Sequence, residues 1–159
     1  MSKITILLSV LAFMLTMIVG CQQKVDIEAE KTAIGAVLDN YVTSIENEDM
    51  GLYAKIIAHD PDMVNFGTLA TERIVGWDAL EKLIEDQNDA LSGTKITVSD
   101  VTIDLAPGGR FAWATSMWIF KATMGGQWFE LPVRCTWILE KQNTGWVIVH
   151  FHKSVGTTG

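Results

Sequence analysis

His150 and His152 stand two apart in Trp146–Ser154, a stretch that reads as a β-strand. On a strand that spacing puts both imidazoles on one face, roughly 7 Å apart. Such a pair can hold a metal or move a proton, but a metal centre needs a third ligand. His59 lies in a remote turn and no acid is close in sequence, so no metal is expected. One histidine facing a pocket or an interface, bonded to a carbonyl or hydroxyl, is the expected arrangement. Arg134 is the second chemical signal. It sits in Leu131–Ile138, LPVRCTWI, which is otherwise uncharged. A guanidinium there faces inward onto a carboxylate or an anionic ligand, or outward, where it can pair with Glu130. Six tryptophans are present, and five of them, from Trp113 to Trp146, interleave with phenylalanines through the same half of the chain. Most are expected to be core or interface, with Trp113 or Trp118 the ones to touch a ligand. Cys135 in a strand pattern reads as a buried free thiol. There is no G-x-S-x-G and no glycine-rich phosphate loop, so neither nucleophilic catalysis nor a cofactor is expected.

The elements that must position these residues follow from periodicity. From Glu28, apolar residues Ala33, Ile34, Val37, Leu38, Tyr41, Val42 and Ile45 recur at three and four, an amphipathic helix. Met50–Ile57 repeats the pattern briefly. His59-Asp60-Pro61-Asp62 is a turn, Met63–Gly67 a short strand and Leu69–Arg73 a loop or hairpin tip. A third helix fits Gly76–Leu91, with Ser92-Gly93 ending it. Four strands follow: Lys95–Leu105, Ala112–Met124, Gln127–Lys141 and Trp146–Ser154, divided by Pro107-Gly108-Gly109, Gly125-Gly126 and Asn143-Thr144-Gly145. Helices first and then a strand meander give an α+β fold, with about three N-terminal helices packed on a curved antiparallel sheet. In Ala112–Met124 neither parity is polar, so both sheet faces should be covered. Helices cover one face, and a second copy of the chain is expected on the other, a homodimer through the sheet.

Composition excludes several classes. The chain has 159 residues, 48% of them hydrophobic and 19% charged, so it has the apolar surface to fold and is not disordered. Its net charge of −7 lacks the basic stripe that a nucleic-acid partner requires. Two cysteines make no disulfide framework.

The first residues carry an address. Lys3 precedes Ile4–Val19, an uncharged apolar run too short to span a bilayer comfortably, which reads as a signal peptide over residues 1–20. Ile18-Val19-Gly20-Cys21 resembles the bacterial lipobox. That resemblance implies cleavage before Cys21, lipidation of Cys21 and a membrane-anchored lipoprotein of the cell envelope. Gln22, rather than Asp, after the cysteine points to the periplasmic face of the outer membrane if the host is Gram-negative. Losing residues 1–20 removes Lys3 and no acid, so the remaining chain is one unit more negative than −7. Residues 21–27 form a lipidated tether, 28–155 the folded domain and 156–159 a tail.

The closing strand Val149–Ser154, VHFHKS, and the segment Gly67–Leu80, GTLATERIVGWDAL, carry a further resemblance. In this order and spacing they are similar to the nuclear transport factor 2-like superfamily, with its SnoaL-like proteins, ketosteroid isomerases and the association domain of calcium/calmodulin-dependent protein kinase II. The resemblance implies a cone-shaped fold whose open end holds a pocket between the first helix and the concave sheet face. It places Tyr41 where the isomerases carry their donor tyrosine, and Asn65 where they carry their catalytic aspartate. An amide cannot accept that proton, so isomerase chemistry is not expected. The kinase domain's pocket arginines, associated with small carboxylates, suggest the same of an inward Arg134. The expected pocket is therefore Tyr41, Asn65, Trp113, Arg134, His150 and His152. The expected function is binding of a small organic ligand, with carboxylates among the choices, or service as a dimerisation module. The alternative is a SnoaL-like hydrolase, cyclase or dehydratase using His150 or His152 with Tyr41. An assembly domain with no ligand would instead show a filled cone.

Overall fold

A computed structural model describes residues 25–69 and 71–156. The signal peptide and Cys21 lie outside the described residues, as do the last three positions.

The first helix, α1 (Ile27–Glu46), begins where Asp26 accepts a hydrogen bond from the Ala29 N–H at 3.1 Å. Glu28 and Glu30 in its first turn oppose the positive end of the helix dipole. Its buried residues, Ile34, Val37, Tyr41, Ser44 and Ile45, follow the three–four spacing. Asp49 caps α2 (Met50–Ile56) by accepting from Leu52 N–H at 2.8 Å, and this short helix buries Tyr53 and Ile56. Strands β1 (Val64–Phe66) and β2 (Arg73–Val75) form a hairpin that leads into α3 (Trp77–Ala90). Gly76 makes that entry possible. Its φ is +81°, and a Cβ there would lie 2.7 Å from the carbonyl oxygen of Pro61. His59 stacks on Trp77 at 4.0 Å between ring centroids, which ties the preceding turn to the start of α3.

Four long strands complete the domain: β3 (Leu91–Leu105), β4 (Phe111–Met124), β5 (Gln127–Gln142) and β6 (Gly145–Val155). Ser92-Gly93 does not end α3 by a loop, as the sequence suggested. The helix stops at Ala90 and the chain passes directly into β3, where Ser92 and Gly93 lie at a register irregularity opposite β4. A second irregularity falls between Ser99 and Thr102, with Asp100 at φ +53°. Extra residues in one strand bend it and raise the local twist, which curves this sheet around α1.

The sheet is six-stranded in the order β2-β1-β6-β5-β4-β3. It is mixed rather than purely antiparallel, because β1 runs parallel to β6, with Phe66 opposite His152. The short hairpin β1–β2 thus extends the meander on the side of the last strand. A parallel partner needs a long connection, and the intervening α3, β3, β4 and β5 supply it. Burial alternates cleanly along β4. Ala112, Ala114, Ser116 and Trp118 are buried against the helices, while Phe111, Trp113 and Met117 are exposed. Within one chain the second sheet face is therefore bare.

Candidate functional site

Cross-strand register settles which side chains share the concave face. Residues directly opposite one another on neighbouring strands point the same way. Three rungs face α1: Trp118–Val133–Val155, Ser116–Cys135–Lys153 and Ala114–Trp137–Phe151. Tyr41, projecting from α1, packs into them. Its ring lies 4.8 Å from Trp137, 5.9 Å from Trp118 and 6.1 Å from Phe151, with Tyr53 of α2 at 5.3 Å on the helical side.

At the centre of this aromatic layer is a lysine. Lys153 Nζ donates a hydrogen bond to Tyr41 Oη at 2.8 Å. It lies over the rings of Tyr41 and Phe151 at 4.8 Å each, and over Trp118 at 5.2 Å. The rings' π faces attract the ammonium but cannot replace its lost water. Six ion pairs form among the described residues, and Lys153 is in none of them. Burial accordingly holds its amine below the usual lysine range. The same burial pushes the phenols of Tyr41 and Tyr53 up, so both stay protonated at neutral pH. The Cys135 thiol, opposite Lys153 in the sheet, is pushed up to about 11 by its burial.

Two further polar atoms in the buried interior lack partners. Asn65 Oδ1 accepts from the Phe151 N–H at 2.8 Å, tying β1 to β6, but its Nδ2 is buried without a hydrogen bond. The Tyr53 hydroxyl is likewise buried and without one. A pocket of about 50 Å³ lies between α1 and the concave face, lined by Leu38, Asp39, Val42, Ser116, Trp118 and Trp137 among others. The cone is filled by its own side chains.

The six residues expected to share a pocket do not meet. Tyr41 and Asn65 are on the concave side. Trp113, Arg134, His150 and His152 are on the other, in the rungs Trp113–Ile138–His150, Thr115–Thr136–His152 and Met117–Arg134–Ser154. The two histidines do share a face, beside Phe66, whose ring is 6.1 Å from His150 and 5.6 Å from His152. His150 Nδ1 bonds the Val64 carbonyl oxygen at 2.5 Å, the backbone partner anticipated for one of them. Arg134 faces outward and, among the described residues, donates to the Val155 carbonyl at 3.4 Å. Glu130 is paired with Lys121 at 3.0 Å instead of with Arg134. No group of three potential metal ligands occurs among the described residues.

One residue of β6 decides this. Leu139 pairs with Ile148 but Ile138 pairs with His150, so Val149 is an extra residue in the strand. Inward parity runs through Trp146 and Ile148, then shifts to Phe151 and Lys153. Without the irregularity, His150 and His152 would have faced α1. Lys153 escaped the sequence reading for this reason, although it stands inside VHFHKS. Its available signal was the shared parity with Phe151, the most apolar residue of that segment.

Comparison with known proteins adds the family. Residues 34–158 match the model of the SnoaL-like domain. The chain belongs to the SnoaL-like domain family. No curated protein matches this SnoaL-like chain. Among solved structures, a nuclear transport factor 2-like superfamily protein from Salmonella enterica serovar Typhimurium is similar at 24% identity and a TM-score of 0.75, over 83% of this chain and 95% of that one. A candidate dehydratase of the same family from Streptomyces avermitilis matches at 11% identity and a TM-score of 0.75, over 82% and 99%. The hub of calcium/calmodulin-dependent protein kinase II from S. rosetta matches at 19% identity and a TM-score of 0.66, over 79% and 95%. At these identities the likeness establishes the fold of the SnoaL-like domain and leaves its chemistry to its own residues.

Proposed function

We propose that this SnoaL-like domain is a self-association module, pairing with a second copy through the outer face of β4, β5 and β6, and held at the cell envelope by a lipid on Cys21. The observation that carries the reading is the contrast between the two sheet faces. The concave face is closed by Tyr41, Trp118 and Trp137 and leaves about 50 Å³, against the roughly 300–1,000 Å³ of ordinary ligand pockets. The outer face leaves Phe111, Trp113, Met117 and Ile138 between 39% and 47% exposed. Large apolar side chains left exposed together on one sheet face, interleaved with Thr115, Thr136 and Arg134, favour an interaction surface. A two-fold pairing covers it with the same patch, which closes the assembly. The likeness in fold to a kinase hub supports the same direction.

The envelope address rests on the lipobox-like Ile18–Cys21 and on the apolar run before it. No helix among the described residues is long and apolar enough to cross a membrane, so attachment in this reading goes through the lipid. The enzymatic alternative is disfavoured by geometry, because His150 and His152 lie across the sheet from Tyr41.

Light scattering coupled to gel filtration tests the pairing. The chain is expected to elute as a dimer and Met117→Asp as a monomer of unchanged secondary structure. A wild-type chain that stays monomeric at tens of micromolar would remove the proposal.

A further inference from the structure

Two histidines sit within the outer face. His150 shares a rung with the exposed Trp113 and Ile138, and His152 stands in the next rung with Thr115 and Thr136. The Val64 carbonyl oxygen can only accept, so His150 Nδ1 carries a hydrogen and a further proton enters at Nε2. The His152 ring is exposed. The charges around the pair are of one sign. Arg134 on β5 stands in the rung after that of His152, and Arg73 on β2 lies opposite Phe66, which is itself opposite His152. Neither guanidinium is in an ion pair among the described residues. The two carboxylates of β5 are already taken, Glu140 by Arg110 at 2.8 Å and Glu130 by Lys121 at 3.0 Å. Strands β1, β2, β4 and β6 carry no acid at all. On β3, three strands from β6, Asp104 pairs with Lys31 at 3.8 Å and Asp100 accepts from the Ser99 hydroxyl at 3.0 Å. A proton taken up by either histidine therefore joins two unpaired cations and meets no free carboxylate on its own or the nearer strands.

We propose that the pairing is released by acid: the outer face closes over a second copy only while His150 and His152 are neutral, and their protonation separates the two copies. The inference rests on the pairing through β4, β5 and β6. Covering the face strips water from both rings, and loss of water disfavours the charged imidazole. A two-fold pairing also brings a second set of the same histidines and arginines into one layer, so each new charge meets like charges from both copies. Separated chains keep their histidines in water and below about pH 6.5 bind more protons than the pair does. Falling pH therefore favours separation. The concave face is untouched by this, because both imidazoles lie across the sheet from Tyr41.

The test is sedimentation equilibrium at about pH 7.5 and about pH 5.5 at one ionic strength, with circular dichroism at both. If one imidazole per copy must be neutral to pair, each costs about tenfold at one unit below 6.5, and the dissociation constant is expected to rise about a hundredfold or more. His150→Asn combined with His152→Gln keeps hydrogen-bonding groups that do not titrate, and is expected to hold the change within about threefold. A second measurement needs no variant. The chain has three histidines, and His59 lies off the outer face, stacked on Trp77. Diluting the wild-type chain from dimer to monomer is expected to raise the titration midpoints of the His150 and His152 ring protons by NMR and to leave His59 unmoved. A dimer constant that changes less than about threefold, midpoints that do not move on dilution, or a full shift kept by the double variant would overturn the inference while the pairing stands. Loss of secondary structure at the lower pH, in place of separation, would overturn it too. A chain already monomeric at the higher pH overturns the pairing itself.

Discussion

Trp113 is the residue on which the outer-face pairing can be weighed most sharply. It projects from β4 opposite Ile138 of β5, and 47% of its surface remains exposed in one chain. A tryptophan side chain has at most about 250 Å² to bury, so roughly 120 Å² is left for a partner. At about 25 cal/mol per Å² that is about 3 kcal/mol per copy, and a two-fold interface counts it twice. Imperfect cover and the cost of ordering side chains reduce the yield, since area does not convert fully into affinity. Trp113→Ala is therefore expected to weaken dimerisation by at least about a hundredfold, or about 2.7 kcal/mol. The fold itself should be nearly untouched, because the side chain makes no part of the core facing α1. Sedimentation equilibrium gives the constant and thermal unfolding of the dilute monomer gives the control. An unchanged dimer constant with an intact fold would refute the reasoning, because the largest apolar side chain of the central rungs would then lie outside the interface.

The concave face makes its own predictions. Tyr41→Phe leaves the buried Lys153 amine without its hydrogen bond and is expected to cost about 1–3 kcal/mol in urea unfolding. Lys153→Met keeps the volume and removes a charge with no carboxylate partner, so it should be neutral or stabilising by up to about 2 kcal/mol. A loss of stability on Lys153→Met would contradict the picture of an unpaired buried amine. The pH dependence has a definite sign. Burial lowers the folded-state pKa of Lys153 below the ordinary 10.5, so between the two values the unfolded chain binds more protons than the folded one. The stability of wild type relative to Lys153→Met should then rise as pH approaches 10.5, read from urea midpoints at about pH 7 and about pH 10. A flat or falling difference would mean that the amine is not depressed. Cys135, with its thiol at about 11, should react with a thiol reagent at least about a hundredfold more slowly than free cysteine until the chain unfolds.

How far the sequence reached depends on which physical signal each feature left. The three–four spacing of Ile34, Val37, Tyr41 and Ile45 marked α1 and its buried stripe, and the glycine-rich turns marked the meander. Such signals are local, and local patterning shows an element directly. The parallel pairing of β1 with β6 left none, because three residues of strand have no period to read and their partner lies far along the chain. Apolar residues on both parities of Ala112–Met124 showed that two faces are to be covered but not which one α1 covers. Only the register through Tyr41's neighbours resolves that. The histidines were legible as a pair and illegible as to face, since a single extra residue at Val149 reverses the parity. That reversal also placed Lys153 inward, where burial lowers its amine's pKa, an effect no spacing rule carries.

Native mass spectrometry of the chain, purified under mild conditions and read for both assembly mass and adduct mass, tests the central claim most directly. A filled concave face and an apolar outer face together lead to a dimer that retains no organic molecule of ordinary ligand size. A monomer, or a subunit carrying a noncovalent organic adduct too large for about 50 Å³, would contradict it.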